Sequence, residues 1–188
     1  PVQPNWDCQE SMLGFFNTID NKFDAHDILK FLVQAQKDGD NSLKDYVNLA
    51  LLDEMNLAHI ELYFAEFLSR LEERRDRSDK NLPSLPVNLG AGIPPYPLKL
   101  SRNVLWVGTM NQDETTKTLS DKVLDRGIII NFPRPKELIN ITKQCSLEDE
   151  QFRQKEMLPV TVWNDWKKNK SLGDALIDPY KKFIENKK

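Results

Sequence analysis

Residues 48–58 read Asn48-Leu-Ala-Leu-Leu-Asp-Glu-Met-Asn-Leu-Ala58, an apolar run that meets two adjacent carboxylates, Asp53 and Glu54. The stretch from Tyr46 to Leu52 is nearly continuous in apolar residues, the pattern of a strand covered on both faces, and it predicts a buried parallel sheet. In open parallel sheets ligands sit beyond the carboxyl ends of the strands, where Asp53 and Glu54 would lie. An Asp there can hold Mg²⁺ directly or through water, while its neighbour orients and deprotonates a water for attack on a phosphoryl group. The plainer reading of the same residues is a strand that ends in a solvated acidic loop.

Working outward, Ile28, Leu29, Phe31, Leu32 and Ala35 recur at helical spacing between Asp24 and Gln36, with Asp24 as the cap. Downstream, Ile60, Phe64, Phe67, Leu68 and Leu71 mark one face of a helix that should pack on the sheet. Pro83, Pro86, Gly90, Gly92, Pro94, Pro95 and Pro97 predict a long exposed loop or an irregular hairpin. Asn103 to Met110 is a second buried-strand candidate, and Gly127 to Phe132 a third, terminated by Pro133 and Pro135. A short helix is expected over 119–126, with Ser120 as its cap. Helical character recurs over 137–145, 147–157 and 178–186, and the lysine-rich tail from Lys167 reads as a solvated end.

The second strand ends in Thr109-Met-Asn111, which places a neutral amide where a neighbouring strand could present it to the same water. An Asn suits that task, because its amide donates to a phosphate oxygen and accepts from a water without adding charge. Arg126 closes the short helix; its fork could complete a neighbouring subunit's phosphate site, or pair at the surface with Asp125 or Asp121.

Composition bounds these readings. The chain has 188 residues, 29% charged and 39% hydrophobic, with a formal net charge of -3, so it lacks the basic excess of a small nucleic-acid binder and is not disordered in composition. No apolar run approaches the ~20 residues that span a bilayer, and the N-terminus has no signal-peptide pattern; both predict a cytoplasmic protein. Cys8 and Cys145 are isolated, which argues against structural zinc or a disulfide. His26 and His59 have no metal-ligand spacing. Phe15 and Phe16 read as packing residues, or as a loop that touches a substrate or a neighbour. Trp163 and Trp166 beside Lys167 and Lys168 read as a helix anchor, with a base-stacking patch as the second option. The first residue is Pro1, which suggests a processed product or a piece of something longer.

The order of these elements, LALLDEMNLA, a helix, a Pro/Gly-rich insertion, VLWVGTMNQDETT, then LSDKVLDRG before an apolar strand, resembles the AAA+ NTPase core. It is most similar to the McrB-type branch, the motor subunits of modification-dependent restriction systems. Gln3-Pro-Asn-Trp6 and Leu13-Gly-Phe-Phe-Asn17 join the likeness, which covers roughly residues 1 to 135. It implies an α/β fold with a parallel-sheet P-loop NTPase-like core over 1–135 and a mainly helical segment over 136–188. Asp53 then resembles the Walker B metal ligand and Glu54 the catalytic base, with Asn56 close behind in the same signature. Asn111 is similar to the sensor residue, and Arg126 looks like the arginine finger. The implied cofactors are Mg²⁺ and ATP or GTP, with Glu114 standing where the GTP-using pattern carries Asp. The implied partners are a homo-oligomeric ring, commonly a hexamer, and an endonuclease subunit, with DNA met through other domains or that partner.

The sequence departs from the family in one large respect: it contains no GxxxxGK[ST] loop to cradle phosphates. The family sets the strand bearing that loop between the Asn111 strand and the strand after Arg126. Without it, the sheet should expose edges and leave a gap; the rest is supplied by a separate segment, or the chain rearranges or exchanges elements with a partner. Three functions fit: part of a McrB-like motor that drives a nuclease, a non-catalytic AAA+-derived oligomerisation module, or a MoxR-like remodelling ATPase.

Overall fold

A computed structural model of the chain describes residues 1–90, 92–111, 120–132 and 156–168. The helices expected over 137–145 and 178–186, nearly all of that expected over 147–157, Cys145, Glu114, Pro133 and Pro135 lie outside the described residues.

At the N-terminal end, α1 (Gln9–Leu13) leads directly into a hairpin of β1 (Gly14–Asn17) and β2 (Lys22–Ala25). The strands pair antiparallel from Gly14↔Ala25 to Asn17↔Lys22. Gly14 has φ +115, and a Cβ there would run into the Asp24 carbonyl, so a side chain is excluded at this corner. Phe15 and Phe16 are therefore strand residues. Asp24 also lies in β2; the next helix, α2 (Asp27–Gln34), starts two residues later than expected, with His26 rather than Asp24 at the cap position and its own Asp27 in the first turn.

The strand read from the apolar run is β3 (Asn48–Leu52), and its partner is β6 (Val104–Gly108), parallel and in register from Asn48↔Val104 to Leu52↔Gly108. Between them come α3 (Ile60–Tyr63) and α4 (Ala65–Glu73), and then a hairpin of β4 (Ser84–Val87) and β5 (Tyr96–Lys99). The helix expected as one piece breaks at Phe64, whose backbone sits at φ -119, ψ 0. The Pro/Gly-rich stretch forms its hairpin with Leu85 and Leu98 fully buried.

One core joins these pieces. On the inner face of the parallel pair, Ala50 and Leu52 are buried, and Trp106 packs against Phe64 and Phe67 with ring centroids 5.3 and 5.2 Å away. Phe64 and Phe67 themselves stack at 5.1 Å. Gly108 completes this face, because the Met55 sulfur occupies the space that a Cβ would need. The outer face departs from the expected double cover: burial in β3 alternates, with Leu49 58% and Leu51 52% exposed, and Val107 beside them 45% exposed. Apolar residues on both faces state what a strand tolerates; which face is covered depends on the elements stacked against it, and α3 and α4 cover only one.

The amino ends of both strands are tied by buried amides. Asn103 Nδ2 lies within hydrogen-bond reach of the carbonyls of Ala35, Leu43, Lys44 and Tyr46, and Asn48 Nδ2 donates to Leu43 and Tyr46. The expected third strand over 127–132 does not form: these residues belong to no strand, and Ile128, Ile130 and Phe132 stand exposed. Near the C-terminal end, the backbone of Leu158 and Val160 bonds to Val47 and Asp45, which docks α6 (Val160–Lys168) beside the entry to β3. Trp163 and Trp166 meet edge to face at 6.3 Å, and Lys167 lies over Trp163. Among the described residues no helix is long and apolar enough to cross a membrane.

Candidate functional site

β3 and β6 run parallel and in register, so their carboxyl ends arrive side by side and both turn at the same level. The backbone crosses over there: Thr109 N donates to the Leu52 carbonyl at 3.0 Å, and Met55 N to the Thr109 carbonyl at 2.9 Å. These bonds bring the acid pair and the Thr109–Asn111 segment together, as expected of two neighbouring strand tips.

The side chains then form a connected cluster. Thr109 Oγ1 donates to Asp53 Oδ1 at 2.6 Å and accepts from the Glu54 backbone N–H at 2.9 Å. Asn111 Nδ2 donates to Glu54 Oε1 at 3.3 Å, and Asn56 Nδ2 donates to the Asn111 carbonyl at 2.8 Å. Asp53, Glu54 and Asn111 thus share one site, while Asn56 supports it from a buried position. Glu54 adopts φ +53, a left-handed backbone that costs a non-glycine residue on the order of 1 kcal/mol. The Thr109 hydroxyl and the crossover bonds hold it there.

Below the turn, Tyr63 is fully buried and its hydroxyl donates to the Met55 carbonyl at 2.8 Å. Burial pushes the Tyr63 phenol well above its ordinary range, with the Glu61 charge adding to the effect. Glu61 reaches the other way: its Oε1 accepts from the Ser120 backbone N–H at 3.2 Å, at the start of α5 (Asp121–Leu124). Hydrogen bonding from Ser120 holds the Glu61 carboxyl below the usual carboxylate range. Ser120 occupies the cap position as expected, but Glu61 supplies the cap bond.

Arg126 is not part of this cluster. Its Nε pairs with Glu72 Oε2 at 3.0 Å, Nη1 donates to Ser69 Oγ at 3.3 Å, and its carbonyl accepts from Arg75. All three partners belong to α4 or the turn just after it, so its surface ion pair is with Glu72 and not with Asp125 or Asp121.

Thr109 and Tyr63 are the residues that sequence reasoning missed. A signal for Thr109 was present, because a hydroxyl at the tip of one strand is in reach of a carboxylate at the tip of its parallel neighbour. Tyr63 offered none, being one aromatic among several in an apolar helix.

Mg²⁺ takes one or two carboxylates and completes its octahedron with water and phosphate oxygens. One exposed carboxylate steadied by a hydroxyl, with a second beside it, fits that demand. Among the described residues no group of three or more His, Cys, Asp and Glu gathers to hold a metal by protein ligands alone. For the triphosphate, the fit extends only to the metal and water side, since the sequence has no phosphate-cradling loop. A groove of about 650 Å³ lies elsewhere, between α2, the 38–42 loop and Tyr96 of the second hairpin, and shares no residue with the acid turn. Chemistry, and not concavity, singles out the strand tips.

Compared with protein-family models, curated proteins and solved structures, the chain matches none.

Proposed function

We propose that the chain carries the metal- and water-handling part of a nucleoside triphosphate hydrolase of the AAA+ type, most similar to the McrB-like motors that serve a DNA restriction nuclease. The observation that supports this reading is the bonded set Asp53–Thr109–Glu54–Asn111 at the tips of two parallel strands. Asp53 holds the magnesium ion, with Oδ1 oriented by Thr109. Glu54 takes the proton from the attacking water, and Asn111 fixes the Glu54 carboxylate and orients that water. Bound magnesium supplies neutralisation of the charge that builds on the phosphate oxygens. Arg126 serves the site of a neighbouring copy in a ring, which agrees with its lying against α4, apart from its own acid turn. The phosphate cradle, ATP or GTP and the nuclease partner complete the machine from outside these residues.

The test has two arms. The isolated chain should bind magnesium nucleotide weakly, by calorimetry, and release no phosphate; robust turnover overturns the division of labour. In the protein assembled with a phosphate-binding loop, Glu54→Gln should keep nucleotide affinity and lose turnover by about 10²–10⁴-fold, because only the base is removed. Turnover at the parent rate takes Glu54 out of its role.

A further inference from the structure

An open strand edge is a template for pairing, and proteins blunt it with charge, proline or a bulge. β6 pairs with β3 along one edge, and no described strand lies along the other. Its sequence, Val-Leu-Trp-Val-Gly, carries none of the blunting residues. Parallel sheets are covered on both faces almost without exception, yet Leu49, Leu51 and Val107 leave one face of this pair to water.

The same chain carries a segment that matches the vacancy. Residues 128–132, Ile-Ile-Ile-Asn-Phe, are uncharged, rich in strand formers and as long as β6. They belong to no helix or strand, and Ile128, Ile130 and Phe132 are 95%, 72% and 89% exposed. Arg126, held by Ser69, Glu72 and Arg75, anchors the start of this segment against α4 of its own copy, and no described strand pairs with 128–132.

We propose that two copies of this chain associate by exchange, residues 128–132 of each copy pairing in the other along the edge of β6 that no described strand occupies, and setting their side chains beside Leu105 and Val107 on its outer face. The exchange is reciprocal, so it closes at two copies and does not propagate. It needs no nucleotide and stands apart from the catalytic reading. An exchanged dimer fills the edge that the AAA+ likeness assigns to a phosphate-loop strand, so the two occupancies exclude each other.

Sedimentation velocity on the 188-residue chain, over a range of micromolar concentrations, tests this. The wild type should sediment as a dimer at the upper concentrations. Ile130→Lys, which spoils the donated segment, and Val107→Lys, which puts a charge beside it on the receiving strand, should each sediment as monomers with unchanged far-ultraviolet circular dichroism. An equimolar mixture of the two should regain a dimer, because Val107→Lys can still donate to the intact β6 edge of Ile130→Lys. Should Val107→Lys fail to fold, Leu105→Lys, on the same face of β6, serves in its place. A wild type that stays monomeric, or a dimer indifferent to Ile130→Lys, overturns the proposal.

Discussion

On one face of the β3–β6 pair, Ala50, Leu52 and Trp106 lie beneath Phe64 and Phe67; on the other, Leu49, Leu51 and Val107 meet solvent. The side chains are of the same kind and come from the same ten residues. What differs is the covering layer, so the energetic weight of an apolar residue here is set by its neighbours and not by its hydropathy.

The sharpest way to break this contrast is Phe67→Ala, which empties a fully buried site between two aromatic rings and should cost about 3–5 kcal/mol in urea unfolding. A cost near zero would mean that the inner face is not the core.

Tyr63→Phe removes the buried bond to the Met55 carbonyl and should cost about 1–2 kcal/mol. It also carries a pH signature. The folded chain holds the phenol proton more tightly than the unfolded chain, so this contribution is complete below the ordinary tyrosine pKa of ~10 and is lost as pH rises beyond it. Stability measured upward from there should decline less steeply in Tyr63→Phe than in the wild type.

Glu54→Gly should run the other way, gaining up to ~1 kcal/mol by relieving the left-handed backbone, while removing the carboxylate. A loss would mean that the Asn111 bond outweighs the strain. The smallest effect belongs to Leu51→Ala on the bare face, within about 0.5 kcal/mol when measured at dilution.

Much of the arrangement could be read from residue order. The run into Asp53 and Glu54, and the second run into Thr109-Met-Asn111, announced two strands whose tips carry polar side chains, and their parallel neighbourhood brings Asp53, Glu54 and Asn111 together. The alternation of burial could not be read, because apolar residues occupy both faces of β3. The left-handed turn at Glu54 was hidden as well, since a glutamate gives no hint of positive φ. Nor do Asn48 and Asn103 declare themselves as buried anchors; an amide at a strand start looks like a loop residue until four carbonyls converge on it.

Four side-chain bonds at the strand tips join residues 55 to 57 positions apart: Glu54 with Thr109, Asn56 with Asn111, Asp53 with Thr109, and Asn111 with Glu54. Contacts of such long sequence separation are late to form, because a large loop must close before any of them is rewarded. These four bonds therefore have no local precursor during folding. In nascent or partly opened molecules from which β6 has come away, Asp53 and Glu54 lose their bonds to Thr109 and Asn111, so this cluster exists only while the parallel pair is joined.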